Sequence, residues 1–218
     1  MCKISMRKGV NTTVNIDTYS HGLRIVAPDD DTILDLEPLQ GLWTQAQYIK
    51  LTDHSRRLLE FTDGYLEVLP MPTDRHQVIS RFLLFALFAF VHRLGGTVLY
   101  APLRLQIRPG KFREPDLLLV RDAQDARRQN RFWLGADLVV EVVSPDDPER
   151  DTQVKRVDYA EARIPEYWIV NPMDETVTVL TLMGDAYSEH GVFRRGQQAS
   201  SALLHGFALS VAEVFDAE

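Results

Sequence analysis

Two acidic side chains occur where the sequence predicts buried strands, and together they could bind a divalent metal ion. Glu141 lies within the apolar run 138–143, and Asp116 comes directly before the apolar run 117–120. An ionised carboxylate removed from water is costly unless it is paired or bound to a metal. If the two predicted strands pair, both carboxylates converge at one place on the sheet. Two such oxygen ligands suit Mg²⁺ or Mn²⁺.

A lysine follows the second of these strands on a predicted helix. Lys155 lies four residues after Asp151 and four before Tyr159, so the three side chains share one helix face. A cation there could neutralise a phosphate beside the metal. Each group also has a purely structural alternative. Lys155 could pair with Asp151 on a solvated helix face, and Tyr159 could simply pack. The two carboxylates could form buried ion pairs with Arg104 or Arg113.

The order of these residues resembles a known nuclease superfamily. Pro115-Asp116 followed by Glu141 is similar to the PD-(D/E)XK motif, with Val143 at the position of the motif's lysine. In some members of that superfamily the lysine lies on the following helix, where Lys155 stands here. More closely, the chain from about residue 43 to 215 resembles the Uma-type restriction endonuclease family. The segments that carry this closer resemblance are 139–145, Asp151, Lys155, Tyr159, 164–172, Asp63-Gly64, Met71-Pro72 and His76.

The resemblance implies both a fold and an activity. The implied fold is α/β (α+β), a restriction-endonuclease-like central mixed sheet flanked by helices, with an N-terminal hairpin extension. The implied activity is that of a Mg²⁺-dependent (or Mn²⁺-dependent) hydrolase, an endonuclease acting on DNA, with Asp116 and Glu141 as metal ligands and Lys155 stabilising the phosphate. Many superfamily members carry a further acid on the first helix, and residues 76–96 contain none here. Accessory roles are expected for Glu60, His76, Asp151 and Tyr159, with Glu60 or His76 as the substitute for that acid and capping or packing as the alternative for His76.

The sequence also supports a second class of function. Valine at position 143, the missing helix acid and the net charge of −7 favour a catalytically inactive nuclease-fold protein that binds nucleic acid or protein. That charge argues against binding through bulk positive potential, so any phosphate-binding surface must be local. Arg127, Arg128 and Arg131 could provide one, although neighbouring aspartates make a solvated loop equally consistent. The choice between DNA and RNA stays open.

The surrounding elements are predicted to form one sheet-based domain. The chain has 218 residues, 45% of them hydrophobic, which suits one domain with extra ends. We expect a partly irregular N-terminal arm over residues 1–42 and the endonuclease-like domain over 43–218. Thr44 is expected to cap a short helix, and Asp63-Gly64 between apolar runs predicts a hairpin. Further strands are expected at 97–100, 103–107, 116–120, 138–143, 166–170 and 176–182, and a helix at 149–162.

A long helix is predicted from about His76 to Leu94, with Thr73 or Asp74 as its cap. It is apolar all round from Phe82 to Val91, which predicts burial on most sides, by the sheet or by a second subunit, and we favour both contacts together. The Phe82, Phe85 and Phe88 series is accordingly assigned to the core or to an interface. We therefore expect a homodimer.

A cytoplasmic protein without membrane contact is expected from the remaining features. Cys2 is the single cysteine, so no internal disulfide can form. The first twenty residues lack the apolar core of a signal peptide. The longest apolar run, Phe82 to Val91, is ten residues long, whereas a membrane span needs about 18.

Overall fold

The computed structural model describes residues 15–17, 24–26, 33–55 and 57–218. The chain divides into two compact units, the first ending at Leu69 and the second running from Pro70 to Glu218. The boundary predicted after residue 42 is a different division and stays a prediction. Most of the predicted arm lies outside the described residues.

The first unit contains short strands and one helix. Its elements are β1 (Asn15–Asp17), β2 (Arg24–Val26), β3 (Ile33–Asp35), a 3₁₀ turn (Glu37–Leu39), α1 (Gln45–Thr52), β4 (Leu59–Thr62) and β5 (Tyr65–Val68). Strands β1, β2 and β3 pair in antiparallel order. As predicted, Thr44 caps α1: its hydroxyl accepts the Gln47 N–H at 3.3 Å and its own N–H donates to the Gln47 side chain at 2.8 Å.

The predicted hairpin at Asp63-Gly64 is confirmed by β4 and β5, which pair in antiparallel register. Both turn residues have positive φ, 47° at Asp63 and 93° at Gly64. This is the conformation that joins two strands with the right twist, and Asp-Gly adopts it readily. A Cβ at Gly64 would lie 2.5 Å from the carbonyl oxygen of Gly41, so this position requires glycine.

A six-stranded mixed sheet forms the centre of the second unit, which confirms the predicted fold class. Its strand order is β13-β12-β11-β10-β9-β6; β10 and β11 run parallel, and all other neighbours are antiparallel. Strands β7 and β8 pair with each other, and so do β14 and β15. The elements of this unit are α2 (Asp74–Val91), a 3₁₀ turn (His92–Leu94), β6 (Thr97–Tyr100), β7 (Leu105–Arg108), β8 (Lys111–Arg113), β9 (Leu117–Val120), β10 (Leu138–Val142), a π-helical turn (Arg150–Val154), α3 (Lys155–Glu161), β11 (Glu166–Asn171), β12 (Thr176–Met183), β13 (Ala186–Phe193), β14 (Gln198–Ser200), β15 (Ala208–Ser210) and α4 (Val211–Phe215).

The two faces of this sheet pack against different helices. Val140 and Val142 join a core cluster that includes α2, whereas Val139 and Val143 join a second cluster that includes Tyr159 of α3. Alternation along β10 produces this division because successive side chains point to opposite faces. Glu141 therefore lies on the α3 face.

Helix α2 begins after Thr73, one of its two predicted caps. Within the described part of the single chain it is buried on one face only, and the predicted cover by a second subunit stays a prediction. Only every fourth residue is fully buried, as Leu83 and Leu87 illustrate, because one helix face packs against the sheet. Phe85 is 63% exposed on the other side. Although α2 is apolar on all sides from Phe82 to Val91, only one of its faces packs against the part of the chain that the structure describes.

By length and composition alone, the span Asp74–Leu94 could cross a membrane. It has 21 residues and a mean hydropathy of 1.5 over its most apolar window. The core helix of a soluble protein can meet the same criterion, and one face of α2 does pack in the core. The expected absence of membrane contact stays a prediction.

A buried ion cluster ties α3 to the β7–β8 hairpin. The Asp158 carboxylate lies 2.7 Å from Arg113 Nε and 2.5 Å from Lys111 Nζ. Glu161, one turn along α3, pairs with Lys111 at 2.9 Å but is partly exposed. Since Arg113 comes three residues before Asp116, this cluster links the approach to β9 with the helix that carries Lys155.

Asp158→Ala is expected to lower the free energy of unfolding by about 3–5 kcal/mol, because it removes the buried carboxylate that both Arg113 and Lys111 contact. Urea denaturation measures the loss. Glu161→Ala is the matched control on the same helix, and its exposed pair should contribute only about 0–1 kcal/mol. Equal losses in the two variants would contradict the assigned importance of the buried pair.

Candidate active site

Asp116 and Glu141 lie side by side because β9 and β10 pair. Leu117 is opposite Val140 in this antiparallel register, which brings the preceding Asp116 next to Glu141. The Asp116 N–H donates to Glu141 Oε2 at 3.4 Å, and the Val142 N–H donates to Asp116 Oδ2 at 2.7 Å. The strand pairing on which the predicted convergence depends is therefore present.

The two carboxylates differ in their access to solvent. Glu141 is 2% exposed, whereas the Asp116 side chain is 17% exposed. Oδ1 of Asp116 accepts no hydrogen bond from any residue that the structure describes. Asp116 therefore offers an available oxygen at the edge of a buried acidic pair.

Lys155 occupies the position between two acids. Its Nζ lies 2.9 Å from Glu141 Oε1 and 3.0 Å from Asp151 Oδ1, and its side chain is 5% exposed. The Tyr159 hydroxyl donates to the same Glu141 oxygen. Asp151, Lys155 and Tyr159 thus share the face expected from their spacing. The pair with Asp151 exists, but it is buried rather than solvated.

Two arginines that the sequence singled out contact other acids than Asp116 and Glu141. Arg113 is engaged by Asp158. In the loop after β9, Arg127 is held by Asp125 and Asp137, at 2.5 and 2.7 Å. Arg127 is therefore committed to the fold rather than to a phosphate.

Burial dominates the electrostatics of Glu141. It raises the pKa of that carboxyl to about 8; the Lys155 ammonium opposes the shift, while Asp116 and Asp151 add to it. Three acids share this cluster with Lys155 and His76. Because burial disfavours the charged form of Glu141, a divalent cation bound there would favour its ionised form.

His76 contributes to the site from the start of α2. Its Nε2 lies 3.1 Å from Asp116 Oδ2, and its backbone N–H donates to the Thr73 cap at 3.2 Å. Burial lowers the pKa of His76, but the hydrogen bond and charge of Asp116, with the charge of Asp151, raise it above its ordinary value overall. The residue therefore combines the helix-start role with a direct contact to a candidate metal ligand.

Other residues at the site could not be identified from sequence. The Ser80 hydroxyl lies 3.4 Å from His76 Nδ1, and the Tyr167 hydroxyl donates to the Asp151 carbonyl oxygen at 2.6 Å. Ser80 lies outside the segments that carry the family resemblance, and its only signal is the one-turn spacing from His76. Tyr167 lies within the segment 164–172, but that resemblance assigned it no role. Glu60 is fully buried on β4 of the first unit, and its accessory role stays a prediction.

The donor set fits a hard cation that keeps much of its water shell. Within the described parts of the chain, no group of three His, Cys, Asp or Glu side chains is arranged to hold a metal ion. Mg²⁺ is commonly bound through one or two carboxylates with water completing its coordination. Asp116 and Glu141, with Asp116 Oδ1 available, match that pattern.

A family model matches most of the chain. The sequence profile of the Uma2 family, described as "putative restriction endonuclease", matches residues 45–212. The chain belongs to the Uma2 family. This confirms the resemblance to Uma-type nucleases and covers Asp116, Glu141 and Lys155 in one continuous match.

The fold of this Uma2 chain is similar to that of a solved structure. It is a crystal structure from Anabaena variabilis, described as a "putative nuclease" of the DUF820 group, with a TM-score of 0.65 and 18% sequence identity. The similarity covers 79% of this chain and 97% of that one. No curated protein matches the sequence. At this identity the structural likeness concerns the fold, while the family match supports a nuclease.

Asp116→Asn is expected to lower the pKa of His76, because the substitution removes the negative charge that raises it and leaves the lowering effect of burial. At a pH between the His76 pKa of the variant and that of the parent protein, His76 is charged in the parent and neutral in the variant. NMR titration of the labelled imidazole, in the presence of a chelator, measures the His76 pKa in each protein. Asp185→Asn, in the exposed turn between β12 and β13, is the control. An unchanged His76 pKa in Asp116→Asn would show that the contact is unimportant.

Proposed function

We propose that this Uma2 protein is a Mg²⁺- or Mn²⁺-dependent endonuclease that hydrolyses phosphodiester bonds of DNA in the cytoplasm. The observation that supports this best is the convergence of Asp116, Glu141 and Lys155 within hydrogen-bond distances at one end of the β9–β10 pair. Two carboxylates and one cation are the groups that metal-assisted phosphate chemistry requires.

Each residue has a distinct task in this proposal. Asp116 and Glu141 would hold the cation, which when bound lowers the pKa of a coordinated water and offsets charge on the phosphate. Lys155 stabilises charge on the phosphate oxygens. Asp151 keeps the lysine in place when Glu141 binds the metal, since it is the second acid on Nζ.

Tyr159 and His76 act as positioning residues. The Tyr159 hydroxyl bonds one oxygen of Glu141 and so fixes the orientation of that carboxylate. His76 bonds Oδ2 of Asp116, which leaves Oδ1 directed to other ligands. Both side chains are accordingly expected to affect metal affinity through the acids that they contact.

The purified protein is expected to nick plasmid DNA in the presence of Mg²⁺ or Mn²⁺ and not with a chelator. Asp116→Ala should reduce cleavage below detection, because it removes the solvent-accessible ligand. Gel analysis of the plasmid forms measures the effect, and Asp185→Asn should cleave at the parental rate. Cleavage that survives Asp116→Ala would rule out this site.

Metal binding distinguishes this proposal from an inactive binding module, the function favoured by valine at position 143. Calorimetry should detect Mn²⁺ binding that is lost in Glu141→Ala. If the parent protein binds no metal but associates tightly with DNA or protein, the binding module is the better account. Plasmid and RNA substrates tested side by side decide which nucleic acid is cut.

Lys155→Met is expected to lower kcat by about 10²–10³-fold, the loss typical of removing one preorganised group that stabilises transition-state charge. The side chain keeps its length, and Asp116 and Glu141 are retained, so Mn²⁺ binding should persist. Single-turnover cleavage measures the change. Lys50→Met, an exposed site on α1, is the control, and parental cleavage by Lys155→Met would exclude the lysine from the reaction.

We further propose a homodimer through the exposed face of α2. Phe85 and Phe88 are 63% and 44% exposed there, and large apolar side chains on one helix face can pack against the same face of a second copy.

Phe85→Glu should convert the dimer to a monomer, as light scattering would show, because the two introduced carboxylates would be buried together. Met183→Glu, which alters an exposed methionine on β12, should leave the mass unchanged. A parent protein of monomer mass, or one recovered with lipid vesicles, would overturn the dimer.

A further inference from the structure

A cavity of about 530 Å³ lies beside β6, at the edge of the six-stranded sheet. Its size is typical of sites that bind small organic groups. The lining combines apolar and polar side chains, among them Leu99, Gln124, Arg128, Gln129 and Trp133. None of these residues takes part in the metal site.

The cavity and the catalytic carboxylates share one face of the sheet. Leu99 pairs with Leu118 on β9 and packs in the same core cluster, on the α3 side. Asp116 lies two residues before Leu118, so alternation places its side chain on that face as well. The Ala101 N–H, directly after β6, donates to the Asp116 carbonyl oxygen at 3.1 Å. A nucleic-acid strand held at Asp116 would therefore lie on the same face of the sheet as the cavity.

Arg128 offers a flat charged surface at this cavity. Its guanidinium lies 5.4 Å from the centre of the Trp133 ring, and one of its terminal nitrogens donates to the Ala123 carbonyl oxygen. Its Nε is buried without a hydrogen-bond partner among the described residues. With one terminal nitrogen already bonded, Arg128 is poorly arranged for the two-pronged grip on a phosphate. An arginine plane fixed in this way is instead suited to stacking against an unpaired base.

Two amide side chains add hydrogen-bonding capacity. Gln124 and Gln129 are exposed and line the cavity. Gln129 donates to the Ala126 carbonyl oxygen at 2.8 Å, which leaves its own carbonyl oxygen as an acceptor. Amides both donate and accept, as the edges of nucleobases do.

We propose that this cavity binds an unpaired nucleobase of the strand held at the Asp116–Glu141 site. This inference rests on the proposed nuclease function. The lining selects a flat, polar group, and the cavity is concave, so a base stacked within a duplex cannot enter it. The bound base must come from a single strand or be turned out of the helix.

The test measures binding in the presence of a chelator, so that no cleavage occurs. A short fluorescein-labelled single-stranded DNA is titrated by anisotropy against the full-length protein, and the same sequence as a duplex is titrated in parallel. Arg128→Lys keeps the charge and removes the stacking plane, and Gln124→Ala removes an exposed amide. We expect about a tenfold or greater loss of single-strand affinity in Arg128→Lys, the size typical of losing one base stack.

Gln198→Ala, at an exposed glutamine on β14, is the matched control and should bind as the parent does. Single-strand affinity that is unchanged in both Arg128→Lys and Gln124→Ala overturns the proposal. An equal loss for single strand and duplex also overturns it, because the cavity would then not select an unpaired base. If dAMP binds as tightly as the oligonucleotide, the ligand is a free nucleotide and the strand-base assignment is wrong.

The result is separable from the nuclease proposal. Selective single-strand binding that depends on Arg128, in a protein that cleaves nothing with Mn²⁺, supports the cavity and refutes the activity. Cleavage that requires Asp116, with a kcat/KM on single-stranded DNA that is unaffected by Arg128→Lys, supports the activity and refutes the cavity.

Discussion

Glu141 is the residue on which the arrangement of the second unit depends, because its carboxylate is buried within a sheet. Such a group must be compensated, and α3 supplies both compensating contacts through Lys155 and Tyr159. These side chains reach Glu141 only if α3 packs on that face of the sheet. The buried pair of Asp158 with Arg113 holds it there. The position of a helix is therefore set by the need to neutralise one acid.

Because side chains alternate along β10, one face of the sheet carries core residues and the other carries the candidate site. Val140 and Val142 contribute to the core beneath α2, while Glu141 faces α3. Asp116 lies at the start of β9, where the first turn of α2 also reaches it through His76. The site consequently receives groups from both helices, although each helix packs on a different face.

The sequence predicted those features that depend on local pattern. Apolar runs located β9 and β10, and i, i+4 spacing placed Lys155 on the face that meets Glu141. Contacts between distant segments were harder to predict from the sequence, because no local pattern indicates them. The His76–Asp116 bond, for example, joins residues forty positions apart. Strands β8 and β13 were missed because their sequences are polar and lack a clear alternation. Helix α2 packs through one face in the single chain, and its composition does not reveal which partner covers the other face.

The parallel arrangement of β10 and β11 determines where this chain can place a positive charge beside Glu141. A parallel pair needs a crossover connection, and here that connection carries α3 back over the face on which Glu141 lies. Val143, two residues beyond Glu141, belongs to that same face. A side chain at the end of β10, such as that of residue 143, and one on α3, such as that of Lys155, therefore both lie on the face that carries Glu141. In this chain the ammonium group of Lys155 reaches Glu141 from the crossover helix, while the strand position two residues beyond Glu141 carries a valine. Two acids and a lysine therefore meet here without a lysine on the strand.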